Sequence, residues 1–170
     1  MTDFNRVIRY LAYTLELLVL FMLQETPGLM PAIFGSRPLM VLPAAVTIAL
    51  FEPELTAMAF GVLGGLFLDF GFSCPMGFHA LVLAVLCFFV STIVKVYLQV
   101  NFVTAMITGL WTTAVVVASI WLFLYYFPGY SMPGYAVLHR YLPEYFYTLL
   151  FFPLTFLLNK ALYQALKQQE

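Results

Sequence analysis

The stretch AMAFGVLGGLFLDFGFSCPMGFHAL, residues 57–81, decides the fold. It reads as an apolar helix ending in an acid, a short connection, and the opening of a second helix. Ala57, Gly61, Gly65 and Asp69 recur every four residues, with Gly64 beside Gly65. At helical periodicity these small residues form one slowly drifting stripe that Asp69 closes. Each glycine in an aqueous helix costs about 1 kcal/mol relative to alanine. Close approach of a second helix backbone explains why three stand so near one another, since helices associate in lipid by such contacts. Asp69 is the more demanding residue. A charged Asp near the bilayer centre costs on the order of 3 kcal/mol on insertion scales, which makes it a candidate functional group. Its place at the end of the span brings headgroups or water within reach. Gly77 and His79 open the next helix. The plain reading of His79 is a neutral interfacial histidine bonded to a carboxylate or to backbone. FLDFG and GFHAL flank one short connection, so Asp69 and His79 can meet across it. An anion beside a helix N-terminus is favoured by about 0.3–1 kcal/mol.

Composition sets the class. The chain has 170 residues, of which 64% are hydrophobic and 9% charged, with a mean hydropathy of +0.97. Soluble domains carry about 25% charged residues. Such a chain cannot cover a water-facing surface, and its long unbroken apolar runs indicate helices rather than the alternating strands of a barrel. An all-α integral membrane protein follows, a single transmembrane domain over residues 1–170. The formal charge of −1 offers no basic patch for nucleic acid. The N-terminal apolar run has no small-residue cleavage site after it and reads as a retained first span. Cys74 is expected near the outer surface and Cys87 inside a span, so no disulfide is expected, and neither has metal-ligand spacing. No Walker loop, nucleophile triad or HExxH appears. No catalytic, cofactor or metal site is assigned.

About six spans are expected. The first runs from about Val7 to Leu23, with Glu16 in its middle. Glu16 should face the bundle interior and be protonated or hydrogen-bonded. The Pro/Gly-rich stretch QETPGLMPAIFGSRP is a connection, whose Leu29, Met30, Ile33 and Phe34 would dip into the headgroup boundary. Leu39 to Phe51 is short, about 20 Å as a helix, and either crosses a thinned region, tilts little, or is partly re-entrant. Pro43 either kinks it or marks its first turn. Ala45 and Ala49 offer a second small-residue seam. Glu52-Pro53-Glu54 reads as a tight turn kept at the water surface by its two acids. The third span ends at Gly71, with Pro75 placed to start the fourth, about Gly77 to Leu98. The fifth runs from about Phe102 to Phe127 and carries Thr104, Thr108, Gly109, Thr112 and Thr113. Between Pro128 and Pro143, YAVLHRYL reads as an interfacial helix. The sixth span runs from about Phe146 to Leu162 or beyond, with Pro153 as a kink. Six crossings put Arg6, Arg9, Lys95, Lys160 and Lys167 on the side of both termini, against Arg37 and Arg140 opposite. The positive-inside rule makes the termini cytoplasmic.

The segments PAAVTIALFEPE, AFGVLGGLFLDFG and PMGFHAL together give the chain a resemblance to the MreD family, the integral membrane component of the bacterial rod-shape complex. TPGLMPAIFGSRPLMVLP resembles the Gram-positive, clostridia-like subset of that family. The matching positions are Glu52, Gly61, Gly64, Gly65, Asp69, Gly77 and His79. The resemblance implies a compact six-helix bundle similar to the substrate-binding components of energy-coupling-factor vitamin transporters, in the bacterial cytoplasmic membrane. It implies the bitopic partner MreC and association with the actin-like MreB filament and the SEDS glycosyltransferase–transpeptidase pair. It carries over no catalytic residue. Two functions are then in play. One is a non-enzymatic scaffold of cell elongation, whose partner helix packs on a small-residue seam or along the outer tyrosine-rich loop. The alternative is a vitamin-like substrate-binding component of a transporter, which needs convergent polar groups around a cavity.

Overall fold

The computed structural model describes residues 2–28, 37–71, 76–97, 99–129 and 133–167. The helices are α1 (Thr2–Glu25), α2 (Val41–Phe51), α3 (Glu54–Gly71), α4 (Phe78–Tyr97) and α5 (Phe102–Trp121). A π-helical turn, Leu122–Tyr126, extends α5. A short α6 (Pro133–Ala136) passes through a second π-helical turn, Val137–Tyr141, into α7 (Leu142–Lys167). No strand occurs among the described residues. Five stretches among them are long and apolar enough to cross a membrane: Phe4–Glu25, Glu54–Gly71, Phe78–Val96, Phe102–Trp121 and Val137–Ala165. The chain is an all-α, multi-pass membrane bundle.

The centre of the bundle is α2 rather than the α3–α4 stretch. Every residue from Val41 to Leu50 is buried, and α2 packs against α1, α3, α4, α5 and α7. The cause is its composition. VLPAAVTIAL is apolar on all sides, so no face prefers water, and its alanines let neighbours close in. An eleven-residue helix is about 16 Å long, too short to span the hydrocarbon core alone. Enclosure by the longer helices makes that length sufficient. Pro43 lies in the first turn, where its missing N–H needs no intrahelical partner. The backbone donors leading into α2 are satisfied from neighbours. Leu39 N donates to Thr148 Oγ1 at 3.0 Å and Met40 N to Gln24 Oε1 at 2.9 Å.

α3 and α4 form a hairpin packed on α2, and the small-residue stripe is their seam. A Cβ at Gly61 would stand 2.7 Å from the Leu83 carbonyl oxygen, and one at Gly65 would stand 2.5 Å from the Ala80 nitrogen. Gly64 points instead at Ala45 and Val41 of α2. Gly109 of α5 receives the Phe152 ring of α7 in the same manner.

The helices alternate in direction. The start of α1 meets the end of α2 through Arg9 and Glu52, and the end of α7 through Arg9 and Tyr163, 5.4 Å to the ring centroid. Lys95 near the end of α4 bonds Glu54 at the start of α3, 2.9 Å. These contacts define one face of the bundle, here the terminal face, which holds both ends of the described chain. On the opposite face Gly71 closes against Glu25.

Two expectations need correction. Glu54 stays at the surface beside Lys95, but Glu52 is buried, because Arg9 supplies a counter-charge inside the bundle. YAVLHRYL is no separate interfacial helix. It winds into α7, so the last span begins near Val137, and Pro143 stands just after the π-helical turn Val137–Tyr141. Leu29, Met30, Ile33, Phe34, Cys74 and Pro75 lie outside the described residues. Cys87 is a buried free thiol, its Sγ 3.7 Å from the Ala45 carbonyl oxygen.

Candidate functional sites: a capped helix junction and a buried polar seam

Gly77 turns the chain into α4 with φ +96°, in the left-handed region that glycine adopts without strain. Its carbonyl accepts the first intrahelical bond, from Leu81 N at 2.9 Å. Glycine has no side chain to cap the helix it opens. Asp69, at the end of α3, reaches across and does so. Its Oδ1 accepts from His79 N at 2.9 Å, and its Oδ2 from Gly77 N at 2.9 Å and Ala80 N at 3.3 Å. His79 and Ala80 are the second and third residues of α4, whose N–H groups an N-cap side chain normally takes. His79 Nδ1 adds a fourth contact to Oδ1 at 2.8 Å. Both side chains are buried. The carboxylate is thus compensated by donors rather than by water, and hydrogen bonds to a charged group contribute about 1.5–3 kcal/mol each. Gly61, Gly65, Asp69, Gly77 and His79 therefore form one structure. The glycines bring the two backbones together, and the acid locks the end.

Glu16 and Glu52 belong elsewhere, to a polar seam where α1, α2 and α7 meet. The inward face of α1 carries the polar residues Arg9, Tyr13, Glu16 and Gln24 beside Leu17 and Leu20, a helical spacing. Arg9 Nε lies 2.7 Å from Glu52 Oε1. Burial pushes the Glu52 carboxyl above its ordinary range, while Arg9 and the Tyr13 hydroxyl pull it back. The Glu52 carbonyl accepts from Ser91 Oγ at 2.8 Å, tying this turn to α4. Deeper along the seam, Asn159 of α7 donates through Nδ2 to Glu16 Oε1 at 3.1 Å and to Thr47 Oγ1 at 2.9 Å. Glu16 thus faces inward and is hydrogen-bonded.

Asn159, Thr47, Gln24, Thr148 and Arg9 were not singled out as site residues from sequence. A signal existed for α7, since Thr148, Thr155 and Asn159 fall on one helical face. Among the described residues no group of His, Cys, Asp and Glu is arranged to hold a metal ion.

The seams are internal. Gly61 and Gly65 are closed by α4, Gly64, Ala45 and Ala49 by the core, and Gly109 by Phe152. None is open to a partner helix, so the expectation that a partner packs on such a seam does not hold for these residues. What faces outward is apolar, including Leu11, Leu15 and Met22 of α1 and Val103, Ile107 and Leu110 of α5.

No family model matches this chain, nor does any curated protein or solved structure. Its functional reading rests on the residues and their arrangement.

Proposed function

We infer that the chain is a non-enzymatic membrane scaffold of MreD type, serving the bacterial cell-elongation machinery. The observation that carries this reading is the filled centre of the bundle. A small-molecule carrier needs a cavity with convergent polar groups. Here α2 occupies the middle, and Tyr13 and Leu17 of α1 and Phe152 and Phe156 of α7 close around it with essentially no exposure. Much of the interior polar inventory is spent on helix-to-helix bonds, as Asp69, Gln24, Ser91, Thr148 and Asn159 illustrate. That is the construction of a rigid platform. Its partners in this reading are an MreC-like bitopic protein and, through it, an MreB-type filament and the SEDS glycosyltransferase–transpeptidase pair. With the glycine seams closed, a single partner helix would lie against the apolar outer faces of α1 or α5, where van der Waals fit supplies the affinity.

One feature favours the alternative of a small-molecule-binding component. A groove of about 420 Å³ opens between α5 and α7, lined by Ala114, Val117, Ala118, Trp121, Val137 and Tyr145 among others. Its lining is nearly all apolar, which suits a hydrocarbon chain better than a polar vitamin.

The excess of lysine and arginine on the terminal face supports a cytoplasmic placement of both ends in a bacterial plasma membrane. In a cysteine-free background, Met76→Cys on the opposite face should then label from outside intact cells. Protection until lysis inverts the orientation. Depletion of the protein from its host should convert rods into rounded, swollen cells without creating a nutritional requirement. A depleted strain that keeps its shape but becomes auxotrophic for one small molecule refutes the scaffold and favours the carrier.

A further inference from the structure

Glu16 and Asn159 meet across the α1–α7 contact through the 3.1 Å bond from Nδ2 to Oε1. Asn159 Nδ2 also donates to the Thr155 carbonyl at 3.1 Å. A carbonyl only accepts, so it fixes which end of the amide carries the hydrogens. Two oxygens remain, Glu16 Oε2 and Asn159 Oδ1. Both are buried, and neither has a hydrogen-bond partner. With Glu16 ionised both are acceptors, and two acceptors cannot satisfy one another. A carboxylic acid and a primary amide, by contrast, pair through two parallel bonds, one N–H to oxygen and one O–H to oxygen. Half of that pair is already in place.

Among the described residues, none beside Glu16 supplies a cation to balance a carboxylate. Arg9, about two turns back on α1, is engaged by Glu52, and Arg6 lies a further turn away. Lys160 on α7 is exposed, its Nζ 5.9 Å from the Phe156 ring centroid. Of the other titratable groups on the packed elements, Tyr13, Glu52 and Tyr163 bring no positive charge. Glu54 and Asp69 of α3 are held by Lys95 and His79, and Glu144 and Lys167 stand near the two ends of α7, about four and about two turns from Asn159. A buried charge without a partner is costly in a protein interior and more so in lipid.

We propose that Glu16 is a proton-binding site whose proton completes a two-point acid–amide bond fastening α1 to α7. The fastening matters because α1 lies at the edge of the bundle, with Leu11, Leu15 and Met22 turned outward. Its other polar anchors sit near its two ends, at Arg9–Glu52 and at Gln24–Met40. Glu16 is the anchor at mid-membrane. The bond is present while Glu16 carries its proton and is lost as pH rises through its titration. This inference is independent of the scaffold reading.

The test uses the full chain in lipid nanodiscs. Infrared spectra of the parent at neutral pH should show the C=O stretch of a buried protonated carboxyl, and Glu16→Gln should lose that component. A glutamine at this position presents N–H to Asn159 Oδ1 and oxygen to Nδ2, so it keeps both bonds without a proton. Its melting temperature should match the parent at neutral pH and stay level at alkaline pH, where the parent falls. A carboxyl band unchanged in the glutamine variant, or two melting curves that run parallel across pH, overturns the proposal. So does a melting temperature raised by sodium in the parent alone, since the carboxylate then holds a metal cation. Should the glutamine variant fail to fold, the parent and Asn159→Leu decide the matter. The band must move when the amide is removed, and a band that stays in place refutes the pairing.

Discussion

A single methyl group added at Gly65 tests the α3–α4 junction most sharply. The new Cβ would stand 2.5 Å from both the Ala80 nitrogen and the His79 carbonyl oxygen. These are backbone atoms of a helix, so no side-chain rotation relieves the contact. Restoring ordinary van der Waals separation, about 3.5 Å, requires α4 to retreat by about 1 Å. That retreat also draws the N–H groups of His79 and Ala80 away from Asp69, where they now lie at 2.9 and 3.3 Å. Overpacking costs about 1–3 kcal/mol, and a weakened bond to a carboxylate about 1.5–3. Alanine returns about 1 kcal/mol through helix propensity. The net loss for Gly65→Ala is therefore about 1.5–5 kcal/mol. Gly61→Ala meets the Leu83 carbonyl oxygen at 2.7 Å but lies away from the cap, so its loss should be smaller. Gly64→Ala meets side-chain atoms of Ala45 and Val41 at 3.3 Å. Those can give by a few tenths of an ångström, and the propensity gain offsets the rest. The expected order of melting temperature in detergent is parent and Gly64→Ala together, then Gly61→Ala, then Gly65→Ala. Hydrogen exchange at the first turn of α4 should accelerate in Gly65→Ala alone. A Gly64→Ala variant as damaged as Gly65→Ala, or an intact first turn in Gly65→Ala, would refute the reasoning.

Two further predictions concern the buried acids. Asp69→Asn keeps one acceptor oxygen but turns an N–H₂ toward donors of α4, while Asp69→Leu leaves all of them unpaired. Thermal melting should rank parent above Asn above Leu, and an asparagine variant as stable as the parent would mean that one oxygen suffices. Arg9→Met leaves Glu52 buried without its counter-charge and should cost about 3–5 kcal/mol. Arg9→Met combined with Glu52→Leu should recover most of that loss in the same assay, and a double variant no better than the single one would show that the pair is not the reason.

Local patterns in the sequence reached the α3–α4 junction because everything it needs lies within residues 57–81. The glycine spacing names the close face, Asp69 ends it, and the connection is too short for His79 to be far away. The polar seam is different. Glu52 and Glu54 look alike in EPE, and only the position of Arg9 on another helix separates a buried acid from a surface one. Glu16 was legible as an inward acid, since lipid offers it no other place, but its partner Asn159 lies almost at the other end of the chain. Pro143 misled in the opposite direction. Proline inside a helix removes one backbone bond, yet here a π-helical turn stands just before it and the chain runs on into α7.

The short apolar segment Val41–Phe51 raises the deeper point. Judged by length alone it is a defective span. Judged by its faces it is a helix with no outside, because no residue from Val41 to Leu50 is charged and none is large and aromatic. Such a helix is stable only when other helices cover it, and its polar N–H groups must then be met by side chains rather than by water. Gln24 and Thr148 meet them. The same helix covers Gly64 from within, through Ala45 and Val41, while α4 closes Gly61 and Gly65. One property of a single segment, its lack of any polar face, thus decides that the centre of the bundle is packed by helices on every side.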